Sequence, residues 1–171
     1  MQLFPIFTDL LDRQVLVIGG GEIAERKINL LLSANARVHV VCKTANSTVQ
    51  QWAEEHRLQL TLRPYHSSDL DSVWMVIAAT DDQALNQQIS ADAAHRKVFA
   101  NVVDNAALSS FQVPAIVDRS PIVVAISSAG AAPMVARRIR AQIESLVDQS
   151  ISGVAQLLQH YRARIKAAHP M

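Results

Sequence analysis

Cysteine is almost absent from this chain of 171 residues: Cys42 stands alone, so no internal disulfide and no cysteine-rich zinc site can be built. Glycine is scarce too, and three of the five glycines are consecutive at positions 19–21, which excludes a glycine-rich repeat or collagen-like chain. The six histidines, from His39 to His169, are scattered without metal-ligand spacing, and no protein metal site is expected. Neither sign of charge dominates: 16 Lys+Arg against 15 Asp+Glu leave +1, too balanced for a dedicated nucleic-acid binder. The basic tail with Tyr161, Arg162 and Arg164 reads as a solvated helix end. No apolar run approaches the ~18 residues of a membrane span, because even VWMVIAAT is stopped by Asp81 and Asp82. The opening MQLFPIFTDL lacks the basic and long apolar regions of a secretory signal, so a cytoplasmic location is the expectation.

What is present is hydrophobic residue, 50% of the chain, enough to bury a sizeable core. Apolar runs suited to buried parallel strands occupy residues 15–18, 38–42, 58–62, 73–79 and 98–103. Between them, residues 23–34 and 83–95 carry helical spacing, the second opened by Asp81 or Asp82 as an N-cap. This alternation predicts an α/β fold, a Rossmann-like parallel sheet with helices on both faces, over residues 1–112.

After Asp104 the pattern changes. Residues 110–128 read as two strands joined at Asp118-Arg119-Ser120-Pro121, an antiparallel hairpin, with Pro114 inside the first strand at an edge or bulge. Pro133 then starts a helix with Val135, Ile139, Ile143 and Leu146 at helical spacing, and a further helix runs from about residue 149 to 166. A hairpin and helix have few partners of their own for that apolar face. Residues 113–147 are therefore expected to pair with a second copy, as a homodimer, and residues 148–171 to form a short C-terminal helical segment.

Gly19, Gly21 and Ala24 fit G-x-G-x-x-A between a strand and a helix. In that setting the first glycine makes the tight turn, the second lets a pyrophosphate approach the backbone, and the small third residue allows close helix packing. The helix N-terminus adds unpaired N–H groups and partial positive charge. An ordinary strand-to-helix turn is the competing reading. Twenty residues on, where an acid usually holds the adenosine ribose, the chain reads VHVVCKTANST with no Asp or Glu. Lys43 could meet a 2′-phosphate, favouring NADP, or be a solvated strand end; Thr44 or backbone groups could serve the ribose.

Ligands of open α/β sheets sit beyond the carboxyl ends of the strands, which gathers the glycine loop, ATDD at 79–82 and NVVDN at 101–105. Asp104 is the candidate base there, a partly buried carboxylate with a raised pKa; a turn or cap aspartate is the alternative. Thr80 is expected to line the cofactor pocket, and Arg119, Arg137 and Arg138 either receive an acidic substrate or form a solvated face.

In this order LFPIF, VIGGGEIAERK, AATDD, NVVD, VPAIVDRSPIVVAISSAG and PMVARRIR resemble the precorrin-2 dehydrogenase/sirohydrochlorin ferrochelatase module of siroheme synthase, over almost the whole chain. The resemblance implies oxidation of precorrin-2, a polycarboxylate tetrapyrrole, to sirohydrochlorin with NAD as hydride acceptor, and iron(II) insertion as a second reaction. It implies that Asp104 removes protons in both and that Glu22, Ile23, Lys43 and Thr44 contact the cofactor, which shifts the balance from NADP to NAD. Ser128 matches a serine of the substrate-side loop that is phosphorylated in some relatives. The chain's end at Met171 is read as a shortened form of the family's C-terminal helical domain. Two other readings stay open: a nucleotide-sensing module without chemistry, against which the missing acid after the second strand counts, and a tetrapyrrole chelatase or carrier that oxidises nothing.

Overall fold

The computed structural model describes residues 1–168. The end of the predicted 148–171 segment, from His169 onward, lies outside the described residues. The chain folds into two compact units, Phe4–Gln112 and Val113–Met171 with Met1–Leu3.

In the first unit, strands β1 (Gln14–Ile18), β2 (Arg37–Cys42), β3 (Gln59–Leu62), β4 (Met75–Ala78) and β5 (Phe99–Val102) form one parallel sheet in the order β3-β2-β1-β4-β5. The continuous apolar runs have a simple cause: successive side chains point to opposite faces, and both faces are covered. Val15 and Val17 of β1 pack with Ala24, Ile28 and Leu31 of helix α1 (Glu22–Ser33) and with Val49 of helix α2 (Ser47–Glu54). Leu16 and Ile18 point the other way, into a second cluster with Ile89 and Ala93 of helix α3 (Gln83–Arg96). Each such fully buried large apolar side chain contributes about 1.5–3 kcal/mol.

Helix α2 goes beyond what the sequence pattern predicts. It is eight residues long and buries one side chain, Val49, so its apolar stripe is short; the Asn46 side-chain carbonyl, which accepts from Val49 N at 2.9 Å, is the cap that announces it. Of the two aspartates offered as the cap of α3, the structure uses Asp82, which accepts from Leu85 N at 3.0 Å.

β5 is an edge strand, and the chain doubles back to cover it. The Ser110 hydroxyl accepts from Ala100 N at 2.8 Å, the Ser109 hydroxyl accepts from Val102 N at 2.9 Å, and the Asn101 amide donates to Phe111 O at 3.0 Å. Asp104 sits in the turn that starts this return, at φ +57.

In the second unit, β6 (Ala115–Arg119) and β7 (Ile122–Ile126) pair antiparallel, followed by helices α4 (Pro133–Leu146) and α5 (Ser150–Ala168). Pro114 lies just before β6 rather than within it, where its missing N–H costs no ladder bond. Pro133 is the first residue of α4. The Arg140 guanidinium donates to Ile116 O at 2.9 Å and fixes α4 on the hairpin, around buried Val117 and Ala136. Val135, Ile139 and Leu146 of α4 are exposed.

Candidate functional site

In the first unit β1 is the central strand, flanked by β2 and β4, and the chain leaves β1 and β4 toward opposite faces, so their carboxyl ends form the switch point of the sheet. The register aligns Ile18 with Val41 and with Ala78, so the loops that follow β1, β2 and β4 emerge at one level.

The three glycines of the first loop do different jobs. Gly19 has φ +115, and a Cβ there would stand 2.2 Å from Ala79 O, so only glycine lets the β1 and β4 ends meet. A Cβ on Gly20 would meet Thr44 O at 2.6 Å and Ala45 Cα at 2.8 Å, which puts the connection after β2 directly against the loop. Around Gly21 a Cβ would find nothing within 4 Å. The open side is thus the one at the N-terminus of α1, where Gly21 is the N-cap without a side-chain cap bond. An open, uncapped helix N-terminus fits a pyrophosphate: N–H groups free of side chains and the positive end of the helix. Ala24 is fully buried against the sheet, as close helix packing requires.

Lys43 and Thr44 follow β2 and are exposed. Asn46 ties this connection to the glycine loop: its N–H donates to Gly20 O at 2.8 Å and its side-chain amide donates to Glu25 Oε2 at 2.6 Å.

Beside the loop lies a cleft of about 310 Å³ whose lining includes Ile23, Thr80, Asn86, Asp104 and Asn105. Ile23, Thr80 and Asp104, three of the predicted site residues, are thereby brought together. The Thr80 hydroxyl donates to Asn86 Oδ1 at 2.8 Å, and the Asn86 amide returns a bond to Thr80 O at 2.9 Å, a reciprocal pair that fixes the wall of the cleft. Asn86 is buried, and nothing in the sequence pattern singles it out. Asp104 departs from expectation: it is exposed rather than partly buried, in the turn that follows β5. Glu22, at the start of α1, is exposed near the same end.

Lys27 is a second residue that sequence reasoning misses, although it lies one helical turn beyond Ile23. It is half-buried. Burial lowers its pKa, the Asp104 charge works against that, and Arg26 adds to it, so a cation shares the electrostatics of the Asp104 end of the site.

The remaining predicted residues belong to the second unit. The Ser128 hydroxyl accepts from Ala132 N at 3.1 Å and closes the loop before α4. Arg137 and Arg138 are exposed on α4. The Arg119 guanidinium donates to Val147 O at 2.9 Å, Glu144 O at 3.3 Å and Asp118 O at 2.9 Å, and it lies 3.9 Å from the Glu144 carboxylate. Three of its five N–H groups are thus engaged within its own unit, where it braces the hairpin.

A 3-2-1-4-5 parallel sheet with a glycine loop after its first strand and an open helix N-terminus defines a dinucleotide-binding α/β domain. Comparison with known proteins narrows this. Residues 6–115 match the family described as "Putative NAD(P)-binding", and residues 119–146 match the family described as "Sirohaem biosynthesis protein central". Siroheme synthase of Salmonella arizonae is 46% identical over 166 residues, covering 97% of this chain and 36% of that protein, and siroheme synthase of Salmonella typhimurium gives the same figures. The chain therefore spans about a third of the length of these relatives. The solved structure of SirC, precorrin-2 dehydrogenase, superposes with a TM-score of 0.78 at 30% identity, covering 94% of this chain and 79% of SirC. The chain belongs to the precorrin-2 dehydrogenase family of siroheme biosynthesis, the family of the siroheme synthase N-terminal module.

Proposed function

We propose that this chain oxidises precorrin-2 to sirohydrochlorin with NAD⁺ as acceptor. The observation that carries the reading is Asp104, a solvent-accessible carboxylate in the same cleft as Ile23 and Thr80 at the glycine-loop end of the sheet. One hydride and one proton must leave the macrocycle. When bound, NAD⁺ takes the hydride. Asp104 takes the proton, a task suited to a carboxylate within reach of the substrate. Gly19 and Gly21 shape the phosphate seat, with Ala24 allowing α1 to lie close. Glu22, Ile23, Lys43, Thr44 and Thr80 are the proposed cofactor contacts, and Asn86 holds Thr80 in place. Lys27 supports Asp104 electrostatically when a polycarboxylate substrate adds negative charge nearby.

Iron(II) insertion is proposed as a second reaction on the same carboxylate. The incoming iron, as substrate, is bound by the macrocycle nitrogens and displaces two N–H protons, which Asp104 would relay. Ser128 and the exposed cations Arg137 and Arg138 match the acidic side groups of a tetrapyrrole in chemistry. The proposed enzyme is a cytoplasmic homodimer, and the exposed Val135, Ile139 and Leu146 on α4 supply apolar surface for a second copy. Among the described residues, no helix is long and apolar enough to cross a membrane.

The test is anaerobic turnover of precorrin-2 with NAD⁺ and NADP⁺ in parallel. NADH formation with loss of precorrin-2 supports the reading. Tight NADH binding with no turnover would leave a nucleotide-sensing module instead.

A further inference from the structure

The strand end that usually presents an acid to the adenosine ribose carries Lys43 and Thr44 instead. An acid from another element nevertheless meets the connection that follows this strand. Glu25 stands in the first turns of α1, half-buried, and its Oε2 accepts a 2.6 Å hydrogen bond from the Asn46 amide in the connection after β2. Asn46 is in turn bonded through its N–H to Gly20 O at 2.8 Å, and through its side-chain carbonyl to Val49 N at 2.9 Å. One residue therefore ties the glycine loop, α2 and the Glu25 carboxylate together. The packing is close: a Cβ on Gly20 would strike Thr44 O and Ala45 Cα.

The partner's chemistry matters as much as its position. Asn46 is a neutral donor, and among the described residues no cation forms an ion pair with Glu25. Its Oε1 has no hydrogen-bond partner among the described residues and remains a free acceptor. Lys43, the opposing charge, is exposed and therefore well solvated.

We propose that Glu25, held by Asn46, is the acid that selects NAD over its 2′-phosphorylated counterpart, in place of an acid at the end of β2. The inference rests on the reading of the glycine loop as a dinucleotide seat. A free carboxylate oxygen accepts from a ribose hydroxyl, whereas a 2′-phosphate brings like charge to the same point.

The test is direct binding, with NADH and NADPH titrated by fluorescence onto the full chain, wild type and Glu25→Gln, with thermal melting to verify folding. The wild type should favour NADH by at least about tenfold, and Glu25→Gln, which keeps the amide contact but loses the charge, should reduce that ratio by about tenfold. In the wild type, raising the salt should narrow the NADPH deficit, since screening weakens repulsion. Equal weakening of both dinucleotides in Glu25→Gln, or a ratio insensitive to salt, overturns the inference and leaves the Glu25–Asn46 bond a latch. Failure of the wild type to bind either dinucleotide overturns the dinucleotide reading itself, and the inference with it.

Discussion

The glycine loop offers a sharp separation between folding and binding, because Gly19 and Gly21 should fail in different ways. Alanine at position 19 would have to adopt φ +115 with its Cβ 2.2 Å from Ala79 O. Backbone strain of that kind costs about 1–3 kcal/mol, and forcing the β1 and β4 ends apart costs about as much again. Gly19→Ala should therefore lose about 2–6 kcal/mol of a total that for a domain of this size is about 5–15 kcal/mol. Alanine at position 21 meets nothing within 4 Å, and the backbone there, φ −87 and ψ −172, is extended and open to any residue. Alanine as N-cap is poorer than glycine by about 0.5–1 kcal/mol, but the loss of unfolded-state freedom returns about 0.4–1 kcal/mol. Gly21→Ala should unfold within about 0.5 kcal/mol of wild type. Its methyl group would nonetheless stand on the proposed path of the pyrophosphate, and losing one charge-assisted hydrogen bond, about 1.5–3 kcal/mol, should weaken NADH about ten- to a hundredfold. Urea unfolding and NADH fluorescence titration on both variants decide the matter. A Gly21→Ala protein that binds NADH within about twofold of wild type would refute the phosphate seat, and a Gly19→Ala protein of wild-type stability would refute the packing argument.

Other elements make their own predictions. Asn86→Ala removes the reciprocal pair with Thr80, leaving the hydroxyl only its 3.3 Å bond to Asp82 O and the carbonyl without its Asn86 donor, and urea unfolding should show a loss of about 1–3 kcal/mol. Asp82→Ala removes the cap of α3 and should cost about 0.5–2 kcal/mol in the same assay. For Asp69, burial raises the carboxyl pKa, but hydrogen bonds from the Arg63 guanidinium and His66 N–H, together with the Arg63 charge, outweigh it and hold it below the usual range. The stability this gives is present above the unfolded carboxylate pKa of about 3.9 and is lost as pH falls through the lower folded value. Melting temperatures between neutral pH and pH ~3 should therefore drop more steeply for wild type than for Asp69→Asn.

The sheet is readable from sequence because its strands are buried on both faces: Val15, Leu16, Val17 and Ile18 are all apolar since each faces a helix layer. α2 is not, because a helix that buries only Val49 leaves almost no periodic trace. The position of Asp104 follows from its place after an apolar strand, whereas its exposure depends on a return segment whose hydroxyls bind β5. Arg119 shows the limit most plainly. Its charge is visible in the sequence, but the carbonyls of Glu144 and Val147 that occupy it are 25 and 28 residues away. Glu25 and Asn46 are likewise 21 residues apart, and neither matches the usual acid position after the second strand.

The claim on which everything else depends is that the glycine loop and Asp104 form one dehydrogenase site. Anaerobic single turnover of precorrin-2 with NAD⁺, for wild type and Asp104→Asn, tests it most directly. The account predicts equal amounts of NADH and sirohydrochlorin from the wild type, and a rate at least about a hundredfold lower in Asp104→Asn with NADH affinity unchanged. Wild-type turnover without NADH formation, or an Asp104→Asn rate equal to wild type, would contradict it.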